Sequence, residues 1–434
     1  GECTIEVRGN SKSSRYEKIV ALSEESEQMK SGMEQKAFHM ADRLVPLSFA
    51  GTLLTYLLTR NTMKALSFLM VDFSCALKLS IPLAVLSAMQ EASRRGITVK
   101  GGKFLEQIAA ADMVVFDKTG TLTKAEPVFE QIIPFDGRDA DEMLMLAACL
   151  EEHFPHSMAK AVVNAATQHN LPHKELHSKV EYIVAHGIAS RVSRYRCRIG
   201  SAHFIFEDEK TVIPEDEIDK FNALPNTSSH LYLAIRGRLA AVNFIKDPVR
   251  EEAAQVVREL HELGVKKVVM MTGDSKRNAE RVAADIGIDE VYAEVLPGDK
   301  AAFVKQAKEN GYTVMMVGDG INDSPALSEA HVGVAMNEGA PIAQKIANVT
   351  ISSNNLQALV DLRQISMALM KRIHFNYNSI VGVNGGLVGL GVFEILTPST
   401  TAWLHNLFTL GIGLRSMTPL LPDTCAEQNR EINR

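Results

Sequence analysis

Cysteine is scarce in this chain of 434 residues: five are present, Cys3, Cys75, Cys149, Cys197 and Cys425. None sits in a CxxC or another metal-ligand spacing, and the number is odd. A disulfide framework is therefore not expected, and the middle of the chain reads as cytoplasmic. A surplus of basic charge is also missing. The formal net charge is −6 at pH 7, which excludes general affinity for nucleic acid. No signal peptide opens the sequence. Residue 1 is Gly, and the strand-like ECTIEVRGN that follows points to a piece of a longer chain. Internal repeats and low-complexity tracts are absent too. The length suits two or three domains.

What is present is unevenly spread. The chain is 46% hydrophobic and 23% charged, with apolar runs near both ends and charge in the middle. Residues 12–40 are polar, with Tyr16, Ile19, Val20 and Leu22 at helical spacing, and predict a cytoplasmic helix leading to a membrane. Leu44 to Leu58 is apolar apart from Pro46, and Ala65 to Met89 follows after the turn Arg60-Asn61-Thr62. Each run is close to the roughly 20 residues that a bilayer-spanning helix needs. The alternative for the first is a buried soluble helix, since it is short and carries a proline. A second pair of runs, about 376–396 and 400–417, follows Lys371 and Arg372, while the first pair ends in EASRRG. Basic residues at both places set the region from about 91 to 370 on the cytoplasmic side. Four spans around one large cytoplasmic insert are expected.

Inside the insert, MVVFD, VKKVVMMTGD, EVYAEV and YTVMMVGDG are strand-like and alternate with helical patterns. This predicts an α/β fold on a parallel, doubly wound sheet. Residues 126–243 interrupt the pattern as a separate inserted domain. VVFDKTGTLT places Asp117 at the carboxyl end of a buried strand, where sites of open α/β sheets lie. The Thr/Gly loop after it can turn N–H groups toward a phosphate, and a carboxylate there can form an aspartyl-phosphate. Three further strand ends add to it. MTGDS offers Thr272, Gly273 and Asp274; LPGDK offers Lys300; VGDGINDSPAL offers Asp319 and Asp323. Mg²⁺ takes hard oxygen ligands, so Asp117 with Asp319 is a candidate site. Each motif alone is also ordinary turn chemistry. Four in this order, each after a strand, point to phosphoryl transfer.

Together these loops resemble the P-type ATPases, haloacid-dehalogenase-like phosphoryl-transfer machines set in membrane helices. The resemblance covers essentially the whole chain and is most specific at Asp117–Thr123 and Gly318–Leu327. It implies autophosphorylation of Asp117 by ATP, with Lys118 and Thr119 in the same loop and Mg²⁺ at Asp117, Thr119 and Asp319. It further implies a nucleotide-binding domain in the insert. EEHFPHSMAKAVV resembles the His-Pro motif of the heavy-metal branch, with His156 facing adenine, Ser157 in place of proline, and Glu152 and His153 nearby. VAHGIAS keeps Gly187 of a glycine motif and has Ala185 where the first glycine stands; RIGSAHF supplies Gly200 and Ser201. Asp247 and Arg250 of KDPVR match the hinge back into the phosphorylation domain.

FSCALKLSIP resembles the branch's cysteine-proline-cysteine signature, with Phe73 and Ser74 in place of the first cysteine and the proline, and Lys78 in place of a glycine. Pro82 frees the carbonyl of Lys78, one turn from Cys75, which would give a transition metal a sulfur and an oxygen. One sulfur disfavours Cu(I) and suits Zn, Co, Mn or Fe as divalent ions. HNLFT resembles the His-Glu-Gly-x-Thr element of divalent-metal branches and offers His405, Asn406 and Thr409; Asn376, Asn378 and Asn384 are neutral oxygen candidates. Lys78 is expected to serve as an internal counter-ion paired with Asp72 or Glu394, the alternative being a snorkelling lysine. Cys75 has a plainer reading as a small buried apolar residue. No TGE, the actuator loop of these pumps, occurs in the sequence, and residues 1–40 resemble only the end of an actuator domain and its linker helix. The domain plan is then 41–91 and 371–420 as transmembrane hairpins, 92–125 with 244–370 as the phosphorylation domain, 126–243 for nucleotide, and 421–434 as a tail. The expected function is ATP-driven export of a divalent transition metal by a multi-pass membrane protein. The rival readings are a soluble haloacid-dehalogenase-like phosphatase and a non-transporting remnant of a pump.

Overall fold

The computed structural model describes residues 32–124, 126–152, 157–171, 181–183, 187–192, 195–225, 228–274, 276–319, 323–336, 345–352 and 355–422. The chain opens with helices α1 (Gly32–Thr59), α2 (Thr62–Leu69) and α3 (Phe73–Arg94). Asn61 caps α2 by accepting the N–H of Met63 and Lys64, and Asp72 caps α3 by accepting those of Ser74 and Cys75. The apolar run Ala65–Met89, expected as one helix, is therefore two. Asp72 offers its carboxylate to two orphan N–H groups and starts a new helix inside the run. Pro82 lies within α3 without ending it.

Next come β1 (Ile97–Val99), α4 (Gly102–Ala110), β2 (Met113–Asp117) and β3 (Val128–Pro134). Helices α5 (Ala140–Glu151) and α6 (Ser157–Gln168) precede β4 (Glu181–Ile183), β5 (Gly187–Val192) and β6 (Tyr195–Gly200). Then follow β7 (Ser229–Ile235), β8 (Arg238–Lys246), α7 (Ala253–Glu262), β9 (Lys267–Met271), α8 (Lys276–Ile286) and β10 (Glu290–Tyr292). The chain continues through α9 (Pro297–Glu309), β11 (Val314–Gly318), α10 (Ser324–Glu329), β12 (Val332–Met336) and β13 (Val349–Ile351). It ends in α11 (Ala358–Val392) and α12 (Pro398–Ser416).

Two sheets organise the strands. The first has seven, in the order β1-β13-β12-β11-β2-β9-β10. Its pairs β9–β10, β11–β12 and β12–β13 are parallel, and β1 closes one edge antiparallel to β13. Every residue of β2, β11 and β12 is buried, which accounts for unbroken runs such as MVVFD and VMMVG in place of alternation. The second sheet is antiparallel throughout, in the order β3-β8-β7-β6-β5-β4. Leu231, Leu233 and Ile235 of β7 join one core with α5 and α6; Tyr232 and Ala234 join another with Phe135, Phe204 and Phe244. Period-two alternation thus feeds two apolar layers. The expected α/β class, with an inserted α+β domain, is what the chain forms.

The chain divides into two compact units: one takes in the chain up to Val115, Val256–Val268 and Pro297 onward, the other Phe116–Gln255 and Val269–Leu296. In the first, α3 packs against α1, α11 and α12. The interior of this helical array is largely apolar, with Leu77, Ile81, Ile380, Leu387 and Ile412 buried, but polar side chains share it and large apolar ones also line its outside. Asn376, Asn384, Thr401, His405 and Ser416 are buried, whereas Leu47, Phe49, Leu53, Trp403, Leu407 and Leu410 are exposed. Gly391 marks a close approach of α11 to α2, since a Cβ there would lie 2.6 Å from Ser67 Cβ. Among the described residues, Thr62–Arg94 is the one stretch of helix long and apolar enough to cross a bilayer, and Val45–Thr59 is a shorter apolar helix.

Candidate active site

Asp117 ends β2 and is 7% exposed. The loop behind it turns at Gly120, whose φ of 74° belongs to the left-handed region that glycine adopts without a Cβ penalty. Lys118, Gly120, Thr121 and Leu122 are buried, and Thr119 is exposed. Thr123 closes the turn by accepting the Gly120 N–H at 3.1 Å and donating to Asp247 Oδ2 at 2.6 Å. Arg250 donates from Nε to Thr121 O at 2.9 Å and from its own N–H to Leu122 O at 2.9 Å. The KDPVR segment is thus stitched to the Asp117 loop from both sides. Burial pushes the Asp247 carboxyl up, against the opposing pull of the Thr123 hydrogen bond and the Lys118 charge.

The TGD loop meets the same turn. Lys118 Nζ is ion-paired with Asp274 Oδ2. Asp274 is oriented twice more: its N–H donates to Thr272 Oγ1 at 3.1 Å, and Asn278 Nδ2 donates to Oδ2 at 3.0 Å. Asn278 was not singled out in the sequence, although its place one turn into α8, four residues past Asp274, is the spacing at which helix side chains meet. Thr272 is buried and Gly273 exposed. In the other unit, Lys300 and Asp323 form a buried ion pair at 2.7 Å. Gly318 makes room for it, since a Cβ there would approach Asp323 Oδ2 to 2.8 Å. Asp319 is half-buried just past β11.

For the nucleotide residues, His156, His153 and Ala185 lie outside the described residues. Glu152 is exposed at the end of α5. Gly187 and Gly200 face each other in register across β5 and β6. Gly187 also has a packing reason, because a Cβ would come within 2.4 Å of Phe204 and 2.5 Å of Ile199 O. Beside Glu152, the buried Glu151 escaped the sequence reading; desolvation raises its pKa to about 7.

In the helical array, His405 Nδ1 and Asn384 Oδ1 lie 3.2 Å apart, both buried. Asn376 Nδ2 donates to Ser416 Oγ at 2.8 Å. Asn376 Oδ1, Asn384 Nδ2, Thr409 Oγ1 and Ser80 Oγ are buried atoms without a hydrogen-bond partner among the described residues. Cys75, Asn378 and Asn406 are exposed instead. The pairing expected for Lys78 is corrected. Its Nζ meets Asp42 Oδ1 at 2.7 Å, while Asp72 caps α3 and Glu394 accepts from Asn61 at 2.6 Å. Lys78 lies on the exposed side of α3, where α1 brings a carboxylate to it.

Residues 111–331 match the haloacid dehalogenase-like hydrolase family. Over 401 residues the chain is 34% identical to the zinc-exporting P-type ATPase of Mycobacterium marinum, covering 91% of this chain and 54% of that protein. It is 34% identical over 402 residues to the manganese-exporting P-type ATPase of Mycobacterium tuberculosis, covering 91% and 55%. It is 35% identical over 375 residues to copper-transporting ATPase 1 of Rhizobium meliloti, covering 83% and 45%. The chain spans about half the length of these relatives. The crystal structure of a zinc-transporting PIB-type ATPase in its E2.Pi state matches with a TM-score of 0.71 at 27% identity, over 96% of this chain and 69% of that one.

Proposed function

The chain belongs to the haloacid dehalogenase-like hydrolases and, within them, to the heavy-metal P-type ATPases, and from that premise we propose that it drives a divalent transition metal across a membrane through a phosphorylated Asp117. The observation that carries the reading is the Asp117 turn, locked to Asp247 through Thr123 and to Asp274 through Lys118. The Asp117 carboxylate attacks the γ-phosphorus of ATP; a P–O bond forms to Asp117 and the bond to ADP breaks. Lys118, in the same turn as Asp117, and Thr272, Gly273 and Asp274 meet the phosphoryl group, and Lys300 is the second cation that the motif pattern offers to it. Asp323 holds Lys300 in place. Asp117, Thr119 and Asp319 are hard oxygen donors that suit Mg²⁺, which when bound offsets negative charge on the phosphates. Glu152, His156, Gly187 and Gly200 belong to the nucleotide side.

The apolar exterior of the helical array supports the membrane part of the reading. Large apolar side chains on the outside, with a few amides, hydroxyls and an imidazole set among buried aliphatic ones inside, suit lipid around a polar seam. On this reading α1, α2 with α3, α11 and α12 cross the bilayer, and the two sheets stand in the cytoplasm. The cargo site centres on His405, Asn384 and Thr409; Cys75 and Asn406, which the sequence pattern also offers, are exposed and would need a turn of their helices to join it. Imidazole and neutral oxygens suit Zn, Mn, Co or Fe as divalent ions better than Cu(I). Export is the direction that the relatives' names carry.

The test is transfer of labelled phosphate from ATP to the purified full chain, across a panel of divalent ions. Acid-stable label is expected, stimulated by one or two of the ions and lost in Asp117→Asn. Label that survives Asp117→Asn, or that ignores every ion, overturns the proposal.

A further inference from the structure

Arg363 sits in the second turn of α11 and is 4% exposed. One terminal nitrogen of its guanidinium donates to Ile108 O, and the other donates to Leu263 O at 3.1 Å. Ile108 is in the last turn of α4, and Leu263 directly follows α7. The last carbonyls of a helix carry the negative end of its dipole; Ile108 O also accepts the Ala111 N–H at 3.3 Å, a long bond that leaves a lone pair for the guanidinium. A single planar cation with several donors therefore caps two helix ends at once, which an ammonium on a flexible stem does less well.

Both capped helices feed strands of the phosphoryl-transfer sheet. After α4 the chain passes Asp112 and runs through β2 to Asp117. After α7 it runs through β9 to Thr272, Gly273 and Asp274. Asp112 ties the strand entrances together: its carbonyl accepts the N–H of Lys266 at 2.9 Å and of Lys267 at 3.2 Å, and its Oδ1 accepts the N–H of Thr313, ahead of β11, at 2.8 Å. In the other direction α11 continues without interruption for 35 residues, carrying Asn376 and Asn384 into the polar seam. One helix thus bears the buried amides of the polar seam in its second half. Near its start it grips the ends of the two helices that lead to the nucleophile and to its ion-paired partner loop.

We infer that Arg363 is the positioning residue that couples ion occupancy of the helical array to phosphorylation of Asp117. The inference rests on the proposed phosphoryl transfer and goes beyond it. A shift of α11 on ion binding would move the α4 and α7 ends together, because one guanidinium holds both. Without it the array and the sheet keep their own structures and lose the shared handle.

The experiment compares the full chain with Arg363→Met and Arg363→Lys. Label on Asp117 is measured against the concentration of the activating ion, with thermal unfolding followed in parallel. In Arg363→Met, label from ATP is expected to persist while the half-saturating ion concentration changes by about tenfold, the scale of a typical coupling between sites. Arg363→Lys keeps the charge with a single compact donor head and is expected to fall between, and it carries the test should the Met variant fail to fold. Wild-type ion dependence in the variants overturns the inference. So does a joint fall in label and melting temperature with the half-saturating concentration unchanged, which marks a merely structural arginine. Absence of label in the wild-type chain overturns the phosphoryl-transfer reading instead.

Discussion

Lys300 and Asp323 are each almost fully buried and meet at 2.7 Å. Replacing one partner of such a pair leaves an uncompensated charge in a medium that cannot solvate it, at a cost of about 3–5 kcal/mol. Lys300→Met is therefore expected to lower the melting temperature and abolish label on Asp117. The double variant Lys300→Met/Asp323→Asn removes both charges. It should recover most of the melting temperature and none of the label, and calorimetry beside labelling separates the two effects. Glu151 makes a different prediction. Burial pushes its pKa up to about 7 in the fold, from about 4.5 for a free glutamate side chain. Since the folded state holds the proton more tightly, the stability linked to Glu151 is complete below about pH 4.5 and is lost as pH rises through 7. The loss is on the order of 3 kcal/mol. Unfolding of Glu151→Gln measured from pH 5 to pH 8 is expected to show a flatter stability curve than wild type.

Elements, more than single residues, set the chemistry of Asp117. The turn from Lys118 to Thr123 is held by Thr123, which accepts from Gly120 and donates to Asp247. Thr123→Val keeps the shape and removes both bonds. The Asp247 carboxyl, already pushed up by burial, then loses the hydrogen bond that pulls it down. The acid limb of the labelling profile should move to higher pH, and the rate at neutral pH should fall by roughly tenfold, the scale expected when a buried hydrogen bond to a charged group is lost. Labelling rates across pH 5 to 8 check it. This turn was legible in the sequence because its parts are local: the strand, the Gly and the Asp lie within a few residues. Asp72 as the start of a new helix was legible too, as an N-cap residue inside an apolar run, yet the length of the run hid it. Other pairings have no local trace. Lys78 meets a carboxylate 36 residues away, and Arg363 meets carbonyls 255 and 100 residues away. Those partners depend on how helices rotate and cross, which spacing along the chain does not fix.

At the scale of the whole molecule, packing of the helical array decides which of the sequence's candidates face the seam. Composition offered Asn376, Asn378 and Asn384 on equal terms. Packing against α3 and α12 buries the first and third and leaves Asn378 exposed. Asn376 and Asn384 are eight residues apart, a little over two helical turns, so they share a face, whereas Asn378 is rotated by about 200° from Asn376. Asn384 adjoins His405, and its Nδ2 has no partner among the described residues, as does Thr409 Oγ1 one turn beyond His405. Unsatisfied polar atoms in a helical array are costly, and a bound cation with its water would use the oxygens and the imidazole that this seam exposes. If the cargo passes here, Asn384→Leu and His405→Ala should each raise the half-saturating ion concentration for Asp117 labelling by tenfold or more, the scale set by the loss of one ligand-supporting contact. Asn378→Leu, on the outer face of the same helix, should leave it within about twofold, as exposed substitutions usually do. Ion-titrated labelling of the three variants checks the assignment. If Asn378→Leu proves as damaging as Asn384→Leu, the cargo runs along another face of α11 and the buried amides serve only to pack the array.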